Sequence, residues 1–421
     1  MFLSESNISP LEQIQEKSFQ DLNTLFKIFV ILYADDTVVL AESEEGMQNT
    51  LDIFQLYCKQ WKLEVNVNKT TTKISKRKSR SNFEFKLQHE TIEVVDSFSY
   101  LGILFKYNGC FSESRKKLVN QAQKSLFRIY KNIRNRNIPI DLHLKIADAI
   151  VEPILLYGSE IRGYENVEII EQVHLGFCKR ILKVRSSTPN VMVYGELGRY
   201  PLEIRVKIRM ISFWNRLVNN NERMSICIYR LLYSLKSNGI QSFKWLNCIE
   251  SIFNYVGLSY IFENQIGFID VKYITQILHD QFIQKWFSDI ENSSRGEFYS
   301  LFKNNFGLEN YLLKLPVQNR IWMTKLRTCN LRIPTETGRW ANIPRQERTC
   351  TFCNDNVGNV NEFHVFFMCN NDRIVNFRNI YLSKYYVQYP SKTKMSGLLS
   401  LCNVQLYKRF TMFIKKVNVL L

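Results

Sequence analysis

VILYADDTVVLAES, residues 30–43, starts as a β-strand and then does something costly. Val30, Ile31 and Leu32 lead into Tyr33, Ala34, Asp35, Asp36 and Thr37, and Val38, Val39 and Leu40 resume the apolar run. An unpaired buried carboxylate is expensive, and two adjacent ones raise each other's pKa. The pair therefore sits either at a solvated hairpin tip or beside something positive that it holds. Two divalent ions about 3.5–4 Å apart can clamp the attacking and leaving oxygens of a phosphoryl transfer. Mg²⁺ favours a few carboxylates plus substrate phosphates over an all-protein cage. On these four residues alone a surface β-turn, which Asp favours, is the more frequent explanation.

The flanking sequence extends the pattern. SEEGMQNTLDIFQLYCKQWKLEVN predicts a helix, with Ser43 as N-cap, acidic residues after it, and Met47, Leu51, Phe54 and Cys58 at helical spacing. LEVNVNKTTTKIS carries Asn66 and Lys69 ahead of the basic turn TKISKRKSRS. FEFKLQHETIEVVDSFSYLGILF predicts short strands ending near Gly109. Upstream, residues 1–27 are irregular apart from a weakly helical pattern around LEQIQEKSFQDLNTLF.

Beyond the strands, RKKLVNQAQKSLFRIYKNIRN predicts an amphipathic helix. Leu118, Ala122, Leu126, Ile129 and Ile133 share one face, and Lys117, Lys124, Arg128 and Lys131 fall nearly opposite. Such a basic stripe is either an ordinary solvated face or a row of phosphate contacts. Composition bears on the choice. The 421 residues carry a net charge of +17, with 45% hydrophobic and 23% charged residues. Cores are affordable in such a chain, its length suggests two or three domains, and the basic excess points to a polyanion such as nucleic acid.

Ten cysteines do not make a disulfide scaffold: six are scattered over the first 330 residues, three cluster at 350–369 and one stands at 402. MFLSESNISP lacks the pattern of a signal peptide, and no apolar run approaches the roughly 20 residues of a membrane span. The expectation is an intracellular, reducing setting, nucleus or cytoplasm. CTFCNDNVGNVNEFHVFFMC supplies Cys350, Cys353, His364 and Cys369 as C-x2-C, ten residues, then H-x4-C. Three thiolates and an imidazole suit a closed tetrahedral Zn²⁺ site. The alternative is four unrelated residues in a core. The basic arms GRWANIPRQER and NNDRIVNFR flank the cluster, and Trp340 and Phe352 are available for base stacking. His89, His143, His174 and His279 have no ligand-like neighbours at useful spacing and read as structural.

Taken in order, these motifs resemble the reverse transcriptases of non-LTR (LINE-type) retrotransposons. The resemblance covers the YADD box at 33–36, N-x-x-K-T at 66–70 and F-x-Y-L-G at 98–102. It continues through EPILLYGSEIRG (152–163), FCKRILKVRSSTPNVMVYGELGRYPL (177–202) and the lead-in TETGRWANIPRQERTC to a Cys-Cys-His-Cys segment with Glu362 two residues before His364. It implies that Asp35 and Asp36 are the polymerase carboxylates for Mg²⁺ or Mn²⁺, with Asp35 the more direct ligand. Tyr33 would then sit near the primer end, Lys69 near the incoming phosphates, and Phe98, Tyr100, Leu101 and Gly102 in the primer grip. The implied partners are an RNA template, a DNA primer or target, and deoxynucleotides, with no membrane.

The expected architecture is α+β: a truncated palm (1–110), a helical thumb (111–165), a helical connector (166–345), a CCHC zinc knuckle (346–372) and a tail (373–421). The family's third carboxylate and fingers lie upstream of the YADD box, and only 34 residues precede Asp35. The sequence therefore looks like a C-terminal piece whose ancestral reaction is RNA-directed DNA synthesis. Electrostatic stabilisation dominates such chemistry, so little activity is expected of the chain alone. The alternative is a non-catalytic RNA- or DNA-binding remnant using thumb and knuckle.

Overall fold

The computed structural model describes residues 30–72, 83–133, 138–219, 224–240, 243–353, 360–400 and 403–420. The weak helical pattern over 11–26, most of the basic turn TKISKRKSRS and the NDNVGN stretch at 354–359 lie outside the described residues. The described chain is α+β, with seven short strands before residue 107 and helices from Ser112 onward.

β1 (Val30–Tyr33) and β2 (Asp36–Val39) form an antiparallel hairpin. A helix at Glu44–Trp61 follows, capped as the sequence predicts: Ser43 Oγ accepts from Gly46 N at 2.9 Å, with Glu44 and Glu45 in the first turn. Carboxylates near the positive helix end and an N-cap oxygen each stabilise that end by about 1 kcal/mol or less. Leu51 and Cys58 of the expected face are buried, and Met47 and Phe54 partly so. The opposite face keeps Ile53, Leu56, Tyr57 and Trp61 exposed.

This helix packs on a three-stranded sheet ordered β3 (Thr71–Thr72), β5 (Glu90–Val94), β4 (Phe85–Leu87). β3 runs parallel to β5, and β4 antiparallel. Leu51, Phe85, Leu87 and Ile92 make the core, while Lys86, between two buried neighbours on β4, points to solvent. That alternation is the period-two signature of a half-buried strand. Gln48 closes the outer edge of β4: its side-chain amide donates to Lys86 O (2.9 Å) and accepts from Lys86 N (2.8 Å). Gln55 accepts from Gln88 N in the same way. An edge strand's unpaired backbone is thus satisfied by helix side chains. β6 (Ser97–Tyr100) and β7 (Ile103–Lys106) form a separate hairpin.

The chain divides into two compact units, each built from discontinuous stretches. The first contains residues 1–118, 156–166 and 206–274; the second contains 119–155, 167–205 and 275–421. Each therefore draws on more than one of the linear segments read from the sequence. The second unit is organised around a buried ion pair. Arg327 makes three bonds of 3.0–3.1 Å to the Glu196 carboxylate, and Tyr311 donates to the same carboxylate. Removing one partner of such a pair leaves an uncompensated buried charge, at about 3–5 kcal/mol.

Candidate functional site

The Asp-Asp pair sits where a hairpin bends. Tyr33 pairs with Asp36, leaving Ala34 and Asp35 as a two-residue turn. Ala34 has φ = 51°, a left-handed backbone that costs a non-glycine residue about 1–2 kcal/mol. Such strain tends to persist where function requires the turn. Asp35 and Asp36 are both exposed, so neither bears the cost of a buried charge. Tyr33 is 61% exposed and faces Asp36 across the ladder. The tip thus presents two carboxylates and a phenol ring to solvent, a geometry open to a hydrated cation and a polyphosphate.

Lys69 is exposed at the end of a short 3₁₀ turn, Val67–Lys69. Asn66 Oδ1 accepts from Lys69 N at 3.2 Å, and Thr70 Oγ1 donates to Asn66 O. The N-x-x-K-T spacing is therefore a self-capping turn that holds the lysine outward.

The β6–β7 hairpin turns at Leu101 and Gly102, with φ = 46° and 78°. Two left-handed residues in a row suit the twist of a tight hairpin. A second motif stabilises this turn. The Tyr157 hydroxyl donates to Leu101 O at 2.6 Å, and its ring lies 3.4 Å from where a Cβ on Gly102 would stand. Gly158, itself at φ = 65°, leaves room for Ile103, and Arg162 Nε donates back to Tyr157 O. F-x-Y-L-G and the Leu-Tyr-Gly of EPILLYGSEIRG are thus one physical unit. Phe98 stacks on Phe105 (centroids 5.6 Å) and is half-buried, as are Tyr100 and Leu101. The YADD hairpin and the β6–β7 hairpin remain separate two-stranded sheets with no strand pairing between them among the described residues.

The helix Ser112–Ile133 exposes all four predicted cations, Lys117, Lys124, Arg128 and Lys131. Lys117 also donates to Ser99 Oγ on β6 (3.3 Å). Phe127, 68% exposed, sits among these cations and was not singled out from the sequence.

The Cys350, Cys353, His364 and Cys369 ligand atoms all lie within 4.8 Å of one another. Cys350 Sγ and Cys369 Sγ are 3.9 Å apart, and Cys353 Sγ is 3.5 Å from His364 Nε2. A tetrahedral zinc with Zn–S near 2.3 Å and Zn–N near 2.0–2.1 Å has S···S and S···N edges of roughly 3.8 and 3.6 Å. The observed separations match both edges and far exceed a disulfide's roughly 2.05 Å. The H-x4-C spacing has a backbone cause. His364–Met368 is a π-helical turn in which Cys369 N donates to His364 O (2.7 Å). Residues five apart are about 140° out of phase on an α-helix; the wider i→i+5 turn stacks them. Burial pushes the Cys369 thiol up to about 12, and the neighbouring Cys350 and Cys353 sulfurs push it the same way. A metal would have to displace the Cys369 proton. Asn371 caps the following helix, Asp372–Tyr381, and donates to Phe352 O (3.2 Å).

The basic arms beside this cluster differ from the sequence picture. Arg339 bonds Glu336, Arg345 bonds Glu297, and Arg348 bonds the Ile343 and Thr335 carbonyls, so these side chains serve the fold. Trp340 has one face covered by the Arg185 guanidinium, 4.0 Å from the ring centroid. Positive charge also gathers elsewhere. Half-buried Arg185 and Lys325 and exposed Arg332 come from two separate stretches, with Lys325 lying over Trp322 (4.6 Å). Burial lowers the pKa of Arg185 and Lys325, and Arg332 lowers both further, against the pull of Glu336 on Arg185. Spaced along the sequence at 185, 325 and 332, these three gave no signal.

Among known families, residues 7–105 match the model described as "Reverse transcriptase (RNA-dependent DNA polymerase)". The chain is similar to the "RNA-directed DNA polymerase from mobile element jockey" of Drosophila melanogaster, 23% identical over 164 residues, covering 37% of this chain and 18% of that protein. It is also 21% identical to the protein of that description from Drosophila funebris, over 165 residues covering 38% of this chain and 18% of the relative. The matched stretch thus spans about a fifth of those relatives' length. No solved structure matches.

Proposed function

From a chain that carries a reverse-transcriptase segment of non-LTR retrotransposon origin, we propose that it handles nucleic acid with a polymerase-type metal tip and a zinc knuckle. The observation that carries this reading is the exposed Asp35–Asp36 pair on a strained two-residue hairpin. The ancestral reaction of such a tip is addition of a deoxynucleotide to a primer on an RNA template, of which this chain alone is expected to retain little. The primer 3′ hydroxyl gives its proton to solvent and attacks the α-phosphorus, the α–β phosphoanhydride breaks, and pyrophosphate leaves. Magnesium, when bound, neutralises charge on the attacking and leaving oxygens. Asp35 and Asp36 supply the anionic donors for it, and Lys69 offers a cation to the outer phosphates. The Leu101–Gly102 turn, braced by Tyr157, positions the primer strand, with Tyr33 beside its end. Lys124, Arg128 and Lys131 follow the backbone of the duplex, each contact releasing counterions. Cys350, Cys353, His364 and Cys369 hold Zn²⁺.

A second reading, nucleic-acid binding without synthesis, draws on a specific observation. Among the described residues only the Cys/His cluster brings together three or more metal-ligating side chains. Primer extension on an RNA template separates the two. Metal-dependent extension that disappears in Asp35→Ala/Asp36→Ala supports the polymerase. Salt-dependent binding with no extension supports the binder.

No helix among the described residues is long and apolar enough to cross a membrane.

A further inference from the structure

Arg378 is buried, 6% exposed, on the helix that follows the last cysteine. Its Nε donates to Phe366 O and its Nη2 to Cys369 O, both at 2.9 Å. Those are the carbonyls of the π-helical turn and of the fourth candidate ligand. No carboxylate among the described residues lies within ion-pair distance of it. The other buried arginine of this unit, Arg327, does meet a carboxylate, at Glu196, and the half-buried Arg295 meets Glu336. A guanidinium cannot shed its proton as a lysine or histidine can, and a buried charge left unpaired costs several kcal/mol.

We propose that Arg378 is the counter-cation of the metal cluster and fixes the turn that carries its fourth ligand. Zinc with three thiolates and a neutral imidazole carries one net negative charge. Arg378 carries one positive charge beside it, and the pair is neutral. Arg378 is a positioning residue: it touches no metal, but holds the Cys369 carbonyl and sets the electrostatic reference for the thiolates. This rests on the zinc reading of the cluster.

The test is zinc affinity of the full chain, measured by competition with a chromophoric chelator, with Co²⁺ absorption reporting the thiolate set. Loss of an outer-shell partner typically weakens metal binding 10–100-fold. Arg378→Met is expected to fall in that range, with the Co²⁺ spectrum still that of three thiolates. Arg378→Lys, which keeps the charge, is expected to stay within about fivefold of wild type. In a Cys353→His background, where bound zinc would be neutral, Arg378→Met is expected to cost less than about threefold. Wild-type affinity in Arg378→Met overturns the proposal, as does a tenfold or greater loss in Arg378→Lys; the lysine result decides the matter even if Arg378→Met does not fold. A wild-type chain that binds no zinc overturns the zinc reading and this inference with it.

Discussion

The YADD hairpin and the Cys/His cluster both gather metal-ligating side chains, and they do it in opposite ways. At residues 33–36 the donors are exposed and strain is stored in Ala34. At residues 350–369 the donors are mostly buried, already at tetrahedral spacing, and braced by Arg378, Asn361 and Asn371. The first arrangement suits ions that arrive with substrate and leave with product. The second suits an ion that is part of the fold. The difference teaches that one chain can present ligating side chains in two ways, exposed on a turn or gathered in a core.

That contrast can be broken most sharply by removing metal. A strong chelator is expected to lower the zinc-loaded chain's stability by about 4 kcal/mol or more, if zinc is present at a thousandfold its dissociation constant. Calorimetry with and without added Zn²⁺ measures this, and an unchanged transition would put both regions in one class. Asp35→Ala/Asp36→Ala should do the reverse. It should shift stability by no more than about 0.5 kcal/mol, as surface substitutions do, while reducing any primer extension at least 10²-fold, the order lost with an electrostatic stabiliser.

Smaller effects sharpen the picture of what surrounds each region. Neutralising Arg185, Lys325 and Arg332 together should weaken nucleic-acid binding regardless of sequence and reduce the salt slope by up to about 3 on a logarithmic plot, near one per lost phosphate contact. Fluorescence titration at several salt concentrations reads the slope. An unchanged slope would remove this patch from the interface. Gly102→Ala puts a Cβ on a backbone at φ = 78°, at about 1–2 kcal/mol. Tyr157→Phe removes the hydroxyl that holds Leu101 O, at about 1 kcal/mol. Chemical denaturation measures both. If the two hairpins act together, both should also slow extension by more than their stability loss explains.

One pH effect belongs to the second unit. Burial, with Arg199 and Arg205 adding to it, holds His174 down at about 3. Unfolded histidine titrates near 6.5, so below that pH the unfolded chain binds the extra proton. The stability His174 contributes is full above about 6.5 and is lost as pH falls toward 3, at up to about 1.4 kcal/mol per pH unit. His174→Gln should flatten that slope.

Local features were legible in the sequence. The Ser43 cap, the apolar–Asp-Asp–apolar hairpin and the C-x2-C, H-x4-C spacing each depend on neighbours within a few positions, and all appear in the structure. What escaped was whatever depends on distant chain. Tyr157 reaches Leu101 across 56 residues. Arg185 comes under the influence of Lys325 and Arg332, some 140 residues away in sequence, only through the fold. The arms' arginines looked available because a sequence shows charge and hides partners. Arg339, Arg345 and Arg378 are occupied by Glu336, Glu297 and two carbonyls. Phe127 was passed over because the apolar stripe of its helix lies on another face.

The π-helical turn between His364 and Cys369 sets a rule for how this stretch can vary. Val365, Phe366 and Phe367 face the interior and can be exchanged for other apolar side chains of similar bulk. Their number cannot change: adding or deleting one residue would swing the imidazole away from the sulfur and uncouple the two halves of the cluster. Drift in this region should therefore appear as substitution at constant length.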